Sequence, residues 1–183
     1  MLRSVEKASL PPDTYYYEIT AMKAGTERMT ATIGEDIAAF PITIKRSAME
    51  LKAQSYASST KYLVMTDIST QKVGIFQGEK GSWQLEKAYS CSSGAKGTET
   101  PLGEYRVTGR GSWFYNRSLH SGAKWYVQFW DNYLFHSLPM DANRTITDYR
   151  LGEPLSHGCV RLEEDNAKWM YDNLPNGTKV VIY

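Results

Sequence analysis

The chain has 183 residues, 42% of them hydrophobic and 22% charged, which is enough apolar material for one good core and a small appendage. A formal net charge of +1 supplies no global field to draw in nucleic acid or anionic membrane, and the sequence has no basic block or aromatic–basic stripe of the nucleic-acid-binding kind. No apolar run approaches the roughly 20 residues that a membrane-spanning helix needs.

The first residues, Met1 to Lys7, are not followed by a continuous apolar segment and do not read as a secretory signal. This leaves a cytoplasmic protein or a processed piece of a larger one as alternatives. Tyr15–Thr20, Arg28–Ile33 and Phe40–Ile44 read as short strands, with turns carried by Gly25 and Gly34. Three such strands close little core, so residues 1–46 are expected to be a small β module or the tail of an upstream domain. Residues 47–60 change character: the first half suits two helical turns, and the serine-rich second half reads as a linker.

A β meander is expected from residue 61 onward. Tyr62–Thr66, Val73–Phe76 and the alternating Trp83–Tyr89 are strands, with Gly78-Glu79-Lys80-Gly81 turning the last pair. Residues 92–101 read as a loop, Glu104–Thr108 as a strand, and Gly109–Gly122 as a long aromatic loop. Trp125–Phe129 and Tyr133–His136 are two more strands joined at Asp131-Asn132. One segment reads firmly as helix: Ala167, Met170, Tyr171 and Leu174 fall at helical spacing, with Glu163, Glu164 and Asp165 in the first turn. Pro175-Asn176-Gly177 ends it, and Thr178–Tyr183 is a closing strand. The expected class is mainly β with few helices, a sandwich-like mixed-sheet domain over 61–183.

The chemistry concentrates in Ser156-His157-Gly158-Cys159-Val160-Arg161-Leu162, with His136 upstream after an apolar run. A thiol becomes a good nucleophile when a base takes its proton, and an imidazole does this near neutral pH. Cys159 stands just before the expected helix, whose N-terminus would favour a thiolate. The other cysteine, Cys91, reads as a small buried hydrophobe, a disulfide to Cys159 being the alternative. His120 reads as solvated. Three further readings compete with a dedicated cysteine nucleophile: a papain-like peptidase or amidase, whose local motifs are absent; a catalytically silent binding module; and an open zinc site of His136, His157 and Cys159, which lacks a fourth ligand.

Residues 61–183 resemble an L,D-transpeptidase catalytic domain (the YkuD-like family, of Gram-positive type), which crosslinks bacterial peptidoglycan. The resemblance rests on His136, a spacer and Ser156-His157-Gly158-Cys159. It is supported by Ser93-Gly94, Thr100-Pro101, Gly103 and Tyr105 and by the closing Asn176–Val180. It implies that Cys159 is the nucleophile and His136 its base, oriented by the backbone carbonyl of Ser137. His157 would line the pocket. The N–H of Cys159, with that of Gly158 or His157, would form the oxyanion hole, and Arg161 would hold the site together or face a substrate carboxylate. Ser156, Tyr115, Trp125 and Tyr126 are expected to contact substrate. The spacer after His136 is longer than the common family spacing, which implies an enlarged lid over Pro139–Pro154, and Arg161 stands where many members have asparagine.

The same resemblance implies peptidoglycan stem peptides as substrate, release of D-alanine through a thioester, and carbapenem β-lactams as covalent ligands. It implies no metal or organic cofactor, a monomer, and a place outside the cytoplasmic membrane. Water in place of the acceptor amine would make the site an L,D-carboxypeptidase.

Overall fold

The computed structural model describes residues 46–183 and, before them, the backbone of four strands: β1 (Arg3–Ser4), β2 (Tyr17–Glu18), β3 (Gly25–Ile33) and β4 (Asp36–Ile44). β1 pairs antiparallel with β2, and β3 with β4. Gly25 opens β3 instead of turning the chain. The turn expected at Gly34 and the outer residues of the Tyr15–Thr20 strand lie outside the described residues. By its contacts the chain divides into two compact units, Met1–Arg46 and Ser47–Tyr183.

The second unit begins with helix α1 (Ala48–Ala53), started by a capping box in which Ser47 and Glu50 satisfy each other's backbone N–H groups. The segment expected as a linker is instead a structured part of this unit. Ala53 is fully buried, the Tyr56 carbonyl accepts the indole N–H of Trp83 at 2.9 Å, and Ser58 Oγ accepts from Lys179 N at 3.0 Å. Serine density suggested flexibility, but these hydroxyls cap neighbouring strands and the stretch is fixed.

Five strands form one sheet in the order β7-β6-β5-β13-β8: β5 (Tyr62–Asp67), β6 (Lys72–Gln77), β7 (Gln84–Ser90), β8 (Gly103–Arg106) and β13 (Lys179–Ile182). β5 runs parallel to β13 and is buried on both faces, as its unbroken apolar run requires. Leu63 and Met65 face Trp83, Phe76, Val181 and α1, while Tyr62 and Val64 join the larger core. Trp83 is only 1% exposed. Its replacement by alanine empties this smaller core and orphans the Tyr56 carbonyl, so unfolding free energy measured in denaturant is expected to fall by about 3–5 kcal/mol.

The second sheet has the order β12-β11-β10-β9: β9 (Gly109–Asn116), β10 (Ser121–Trp130), β11 (Tyr133–His136) and β12 (Val160–Arg161). The expected long aromatic loop is therefore a hairpin, with β9 paired to β10 from Gly109↔Gln128 to Asn116↔Ser121. Glycines argued for a loop, yet Gly111 is the strand position over which the Tyr126 ring lies, leaving no room for a side chain. Helix α2 (Glu164–Asn173) follows β12 and buries Ala167 and Met170. The main core lies where the two sheets and α2 meet, through Val64, Ile75, Val127, Phe135, Val160 and Met170.

Candidate active site

β11 and β12 are parallel neighbours with Phe135 opposite Val160 and His136 opposite Arg161. Side chains alternate along a strand, so this register sends Phe135 and Val160 into the core, where both are fully buried. Leu134, His136, Cys159 and Arg161 share the other face and line one cleft of about 500 Å³. Cys159 lies two positions before Arg161, the residue opposite His136, so the imidazole and the thiol border the same cleft from neighbouring strands. Asn132, Ser156, His157, Phe114, Tyr115, Asn116, Leu119 and Ser121 complete the wall.

His136 is 6% exposed, and its Nδ1 lies 2.6 Å from the Ser137 carbonyl oxygen. A carbonyl only accepts, so Nδ1 carries the proton and Nε2 keeps its lone pair for another group. Phe114 packs edge-on against the ring, with centroids 5.4 Å apart. Burial pushes the imidazole down to about 4, against the Ser137 hydrogen bond and with help from the Arg161 cation. Burial pushes the Cys159 thiol up, partly offset by the Leu134 backbone and by Arg161. The resting pair is thus neutral thiol and neutral imidazole. The thiol points to the Asn132 carbonyl, 3.6 Å away.

A depressed imidazole pKa has a stability consequence. Between pH 6.5 and about 4 the unfolded chain takes up a proton that folded His136 refuses, so stability present above pH 6.5 is lost as pH falls to about 4. The expected loss from this group is about 3 kcal/mol in denaturant titrations, absent in His136→Gln.

Cys159 is set by a hydrogen-bonded loop rather than by the helix. β12 and Leu162 separate it from α2, whose N-cap is Glu163, so the expected support from the helix N-terminus is replaced by contacts to the β10–β11 turn. Thr100 Oγ1 donates to the Gly158 carbonyl at 2.7 Å and accepts from Gly94 N at 2.9 Å. Thr98 Oγ1 and Ala95 N donate to the Ser156 carbonyl. Buried Gln71 grips Ser93 through its N–H and hydroxyl, both at 2.7 Å, and the Ser93 carbonyl holds Leu155 and Ser156.

Ser156 Oγ donates to the Cys159 carbonyl and accepts from Gly158 N at 2.9 Å. Its hydroxyl is used within the loop, so Ser156 shapes the site, although it was expected to bind substrate. The Gly158 N–H is likewise engaged and is withdrawn from the expected oxyanion hole. The N–H groups of His157 and Cys159 have no partner among the described residues. Gly158 has φ +116° and sits so close to Tyr133 that a Cβ would come within 2.6 Å of the ring. Gly158→Ala is expected to lose about 1–3 kcal/mol of stability and to slow iodoacetamide labelling of Cys159, both measurable on the purified protein.

Three other expectations are corrected. Trp125 has φ +55° and turns toward α2, where it packs on Tyr171 and donates to Glu164, away from the cleft. Tyr126 lies over Gly111 and against Phe114, and only Phe114 reaches the cleft. The 139–154 loop contributes nothing to the lining. It is pinned by Thr147 N to Pro139 O, Gly152 N to Cys91 O and an Asp141 turn, while Tyr115, Asn116 and Leu119 of the β9–β10 hairpin line the cleft. Cys91 is fully buried with its thiol pushed up to about 12, and both cysteines are free. No three His, Cys, Asp or Glu side chains among the described residues are grouped as metal ligands, which leaves the zinc reading without a site. No helix among them is long and apolar enough to cross a membrane.

The family model of the YkuD L,D-transpeptidase catalytic domain matches residues 61–182. YciB of Bacillus subtilis (strain 168), named as an L,D-transpeptidase, is 36% identical over 126 residues, covering 63% of this chain and 62% of its own. The chain thus spans less than two thirds of that relative's length. A fused Zn-dependent amidase/peptidase/peptidoglycan-binding domain-containing protein from Clostridium acetobutylicum ATCC 824 is 39% identical, with 74% of this chain and 58% of that chain covered and a TM-score of 0.63. The L,D-transpeptidase LdtMt1, solved in complex with imipenem, shares the fold at 16% identity and TM-score 0.56, over 100% of this chain and 82% of its own. The matched span contains both sheets, the hairpin and the cleft, and the chain belongs to the L,D-transpeptidase catalytic domain family.

Proposed function

We propose that the chain is a cysteine acyltransferase that crosslinks peptidoglycan stem peptides. The observation that carries this reading is the register of β11 and β12, which puts His136 and Cys159 on one face of the cleft. The Cys159 thiol attacks the carbonyl between the third residue and terminal D-alanine of a tetrapeptide stem while Nε2 of His136 takes its proton. The tetrahedral oxyanion is met by the His157 and Cys159 N–H groups. His136 returns the proton to the leaving amine, D-alanine departs, and a thioester remains. A side-chain amine of a second stem attacks the thioester and gives its proton to His136, which passes it to the departing Cys159 sulfur as the crosslinked product is released and the thiol restored. Proton transfer accompanies attack, because burial keeps both resting groups neutral.

The test is incubation with a purified disaccharide-tetrapeptide and mass spectrometry of the products. A crosslinked dimer supports the transferase; tripeptide alone would make the chain an L,D-carboxypeptidase; neither product overturns the reading. The imipenem complex of a protein of the same fold supports carbapenems as covalent ligands, which requires a mass gain on Cys159 after exposure to imipenem. The substrate lies outside the cytoplasmic membrane, so the proposal places the native protein there. Fractionation that finds it only in the cytosol would contradict this.

A further inference from the structure

The Ser137 carbonyl that fixes the His136 ring is itself held by an interruption in the pairing of β10 with the chain that continues β11. Val127 pairs with Phe135, and Gly122 and Met140 exchange backbone hydrogen bonds at 2.8 Å each. Between these two points the same register would pair Lys124 with Leu138. Instead the Ser137 hydroxyl stands between them, accepting from Lys124 N at 2.9 Å and donating to the Leu138 carbonyl at 3.0 Å. The Lys124 carbonyl takes the Ser137 N–H at 3.0 Å. Lys124 thus grips the fully buried Ser137 with both of its backbone groups, and the Ser137 carbonyl is left to face Nδ1 of His136 at 2.6 Å.

The residue after Lys124 absorbs the distortion. Trp125 has φ +55° in the middle of β10, a conformation that a bulky aromatic adopts only where its surroundings impose it. One side chain holds both residues. Glu164, in the first turn of α2, accepts from Lys124 Nζ at 2.9 Å through Oε1 and 3.2 Å through Oε2, and from the Trp125 indole N–H at 3.3 Å. Tyr171 packs on the indole with centroids 5.2 Å apart, and Lys168 Nζ lies 4.9 Å from its centroid. The Lys124 and Glu164 side chains are 29% and 36% exposed, so their ion pair adds little stability of its own. What it does is restrict two consecutive side chains of β10, and with them the peptide between.

We propose that Glu164 is a positioning residue for the base: by holding Lys124 and Trp125 it fixes the grip of Lys124 on Ser137, and through the Ser137 carbonyl the tautomer and aim of the His136 imidazole. This rests on the acyl-transfer reading above, in which Nε2 of His136 takes the thiol proton. The helix after the nucleophile strand then serves the site through a carboxylate that acts on the base, instead of through a field that acts on the thiol.

The experiment takes two readouts from the same variants. The ¹⁵N chemical shifts of the His136 ring, read without substrate, report which nitrogen carries the proton, and D-alanine release from a disaccharide-tetrapeptide gives kcat and KM. In the parent protein the ring shifts are expected to be those of a single Nδ1–H tautomer. Glu164→Ala is expected to draw the two shifts together as the Nε2–H tautomer becomes populated, and to lower kcat about 10-fold while KM stays within about twofold. Glu164→Gln keeps an oxygen acceptor for both donors and is expected to restore the parent shifts and most of kcat. Lys124→Met is expected to move both readouts in the direction of Glu164→Ala, and to add little when the two are combined. Glu104→Gln breaks a different exposed ion pair, to Lys179 at 2.9 Å on the other sheet, and is expected to leave both readouts at parent values. Parent ring shifts in Glu164→Ala would overturn the assignment, as would an equal loss in Glu104→Gln or a change confined to KM. Failure of every protein, the parent included, to release D-alanine would overturn the acyl-transfer reading, and the ring shifts would still decide whether Glu164 positions the imidazole.

Discussion

Cys159→Ala is expected to abolish acyl-enzyme formation, lowering product release by at least about a thousandfold. The alanine leaves the cleft, the oxyanion donors and Arg161 in place but removes the only atom able to form the thioester. The two cysteines provide an internal control. Cys91 is fully buried with its thiol pushed up to about 12, while Cys159 borders the cleft. Iodoacetamide should therefore add a single label to the native protein, and the label should vanish in Cys159→Ala and persist in Cys91→Ala. A native Cys159→Ala protein that still accumulates a covalent adduct with substrate would refute the assignment of the nucleophile.

His136→Gln is expected to lower kcat/KM by about 10²–10⁴ at neutral pH, since the amide keeps some of the packing against Phe114 but cannot take a proton. The pH profile carries more information than the loss. In the parent protein the imidazole is held down to about 4 by burial and the thiol is raised. The base is therefore free above about pH 5, and the rate should fall only as acid protonates it near 4. No decline is expected between pH 7 and 9. A preformed thiolate–imidazolium pair behaves differently, because loss of the imidazolium proton would depress the rate in the alkaline range. In His136→Gln the thiol must ionise unaided, so the rate should climb tenfold per pH unit through the same range. An alkaline fall in the parent would show that the ionic pair is the working form.

Much of this site is legible in the chain itself. The apolar run Tyr133–Phe135 marks the strand that ends at His136, and the density of reactive groups in Ser156–Arg161 marks the nucleophile loop. The sequence misled where long-range pairing overrode local composition. Glycines and polar residues between 109 and 122 read as a loop because nothing local reveals that the Tyr126 ring fills the space above Gly111. Trp125 reads as an aromatic wall of the substrate groove, but a positive φ turns it toward α2. Glu164 reads only as a first-turn acid of the helix, because its hold on Lys124 and Trp125 reaches 40 and 39 residues back along the chain. Likewise only the folded loop reveals that Ser156 occupies the Gly158 N–H, which redirects the oxyanion role to His157 and Cys159.

The parallel pairing of β11 with β12 also constrains where the gene can gain or lose codons. Inserting or deleting one residue between Ser156 and Leu162 would reverse the in–out order of the strand, driving a thiol into the apolar interior and Val160 into the cleft. Changes between Pro139 and Pro154 leave that order intact, because they lengthen or shorten an excursion whose two ends are fastened independently. Natural and engineered length variation should therefore collect in the excursion, while the seven-residue segment around the sulfur stays invariant in length.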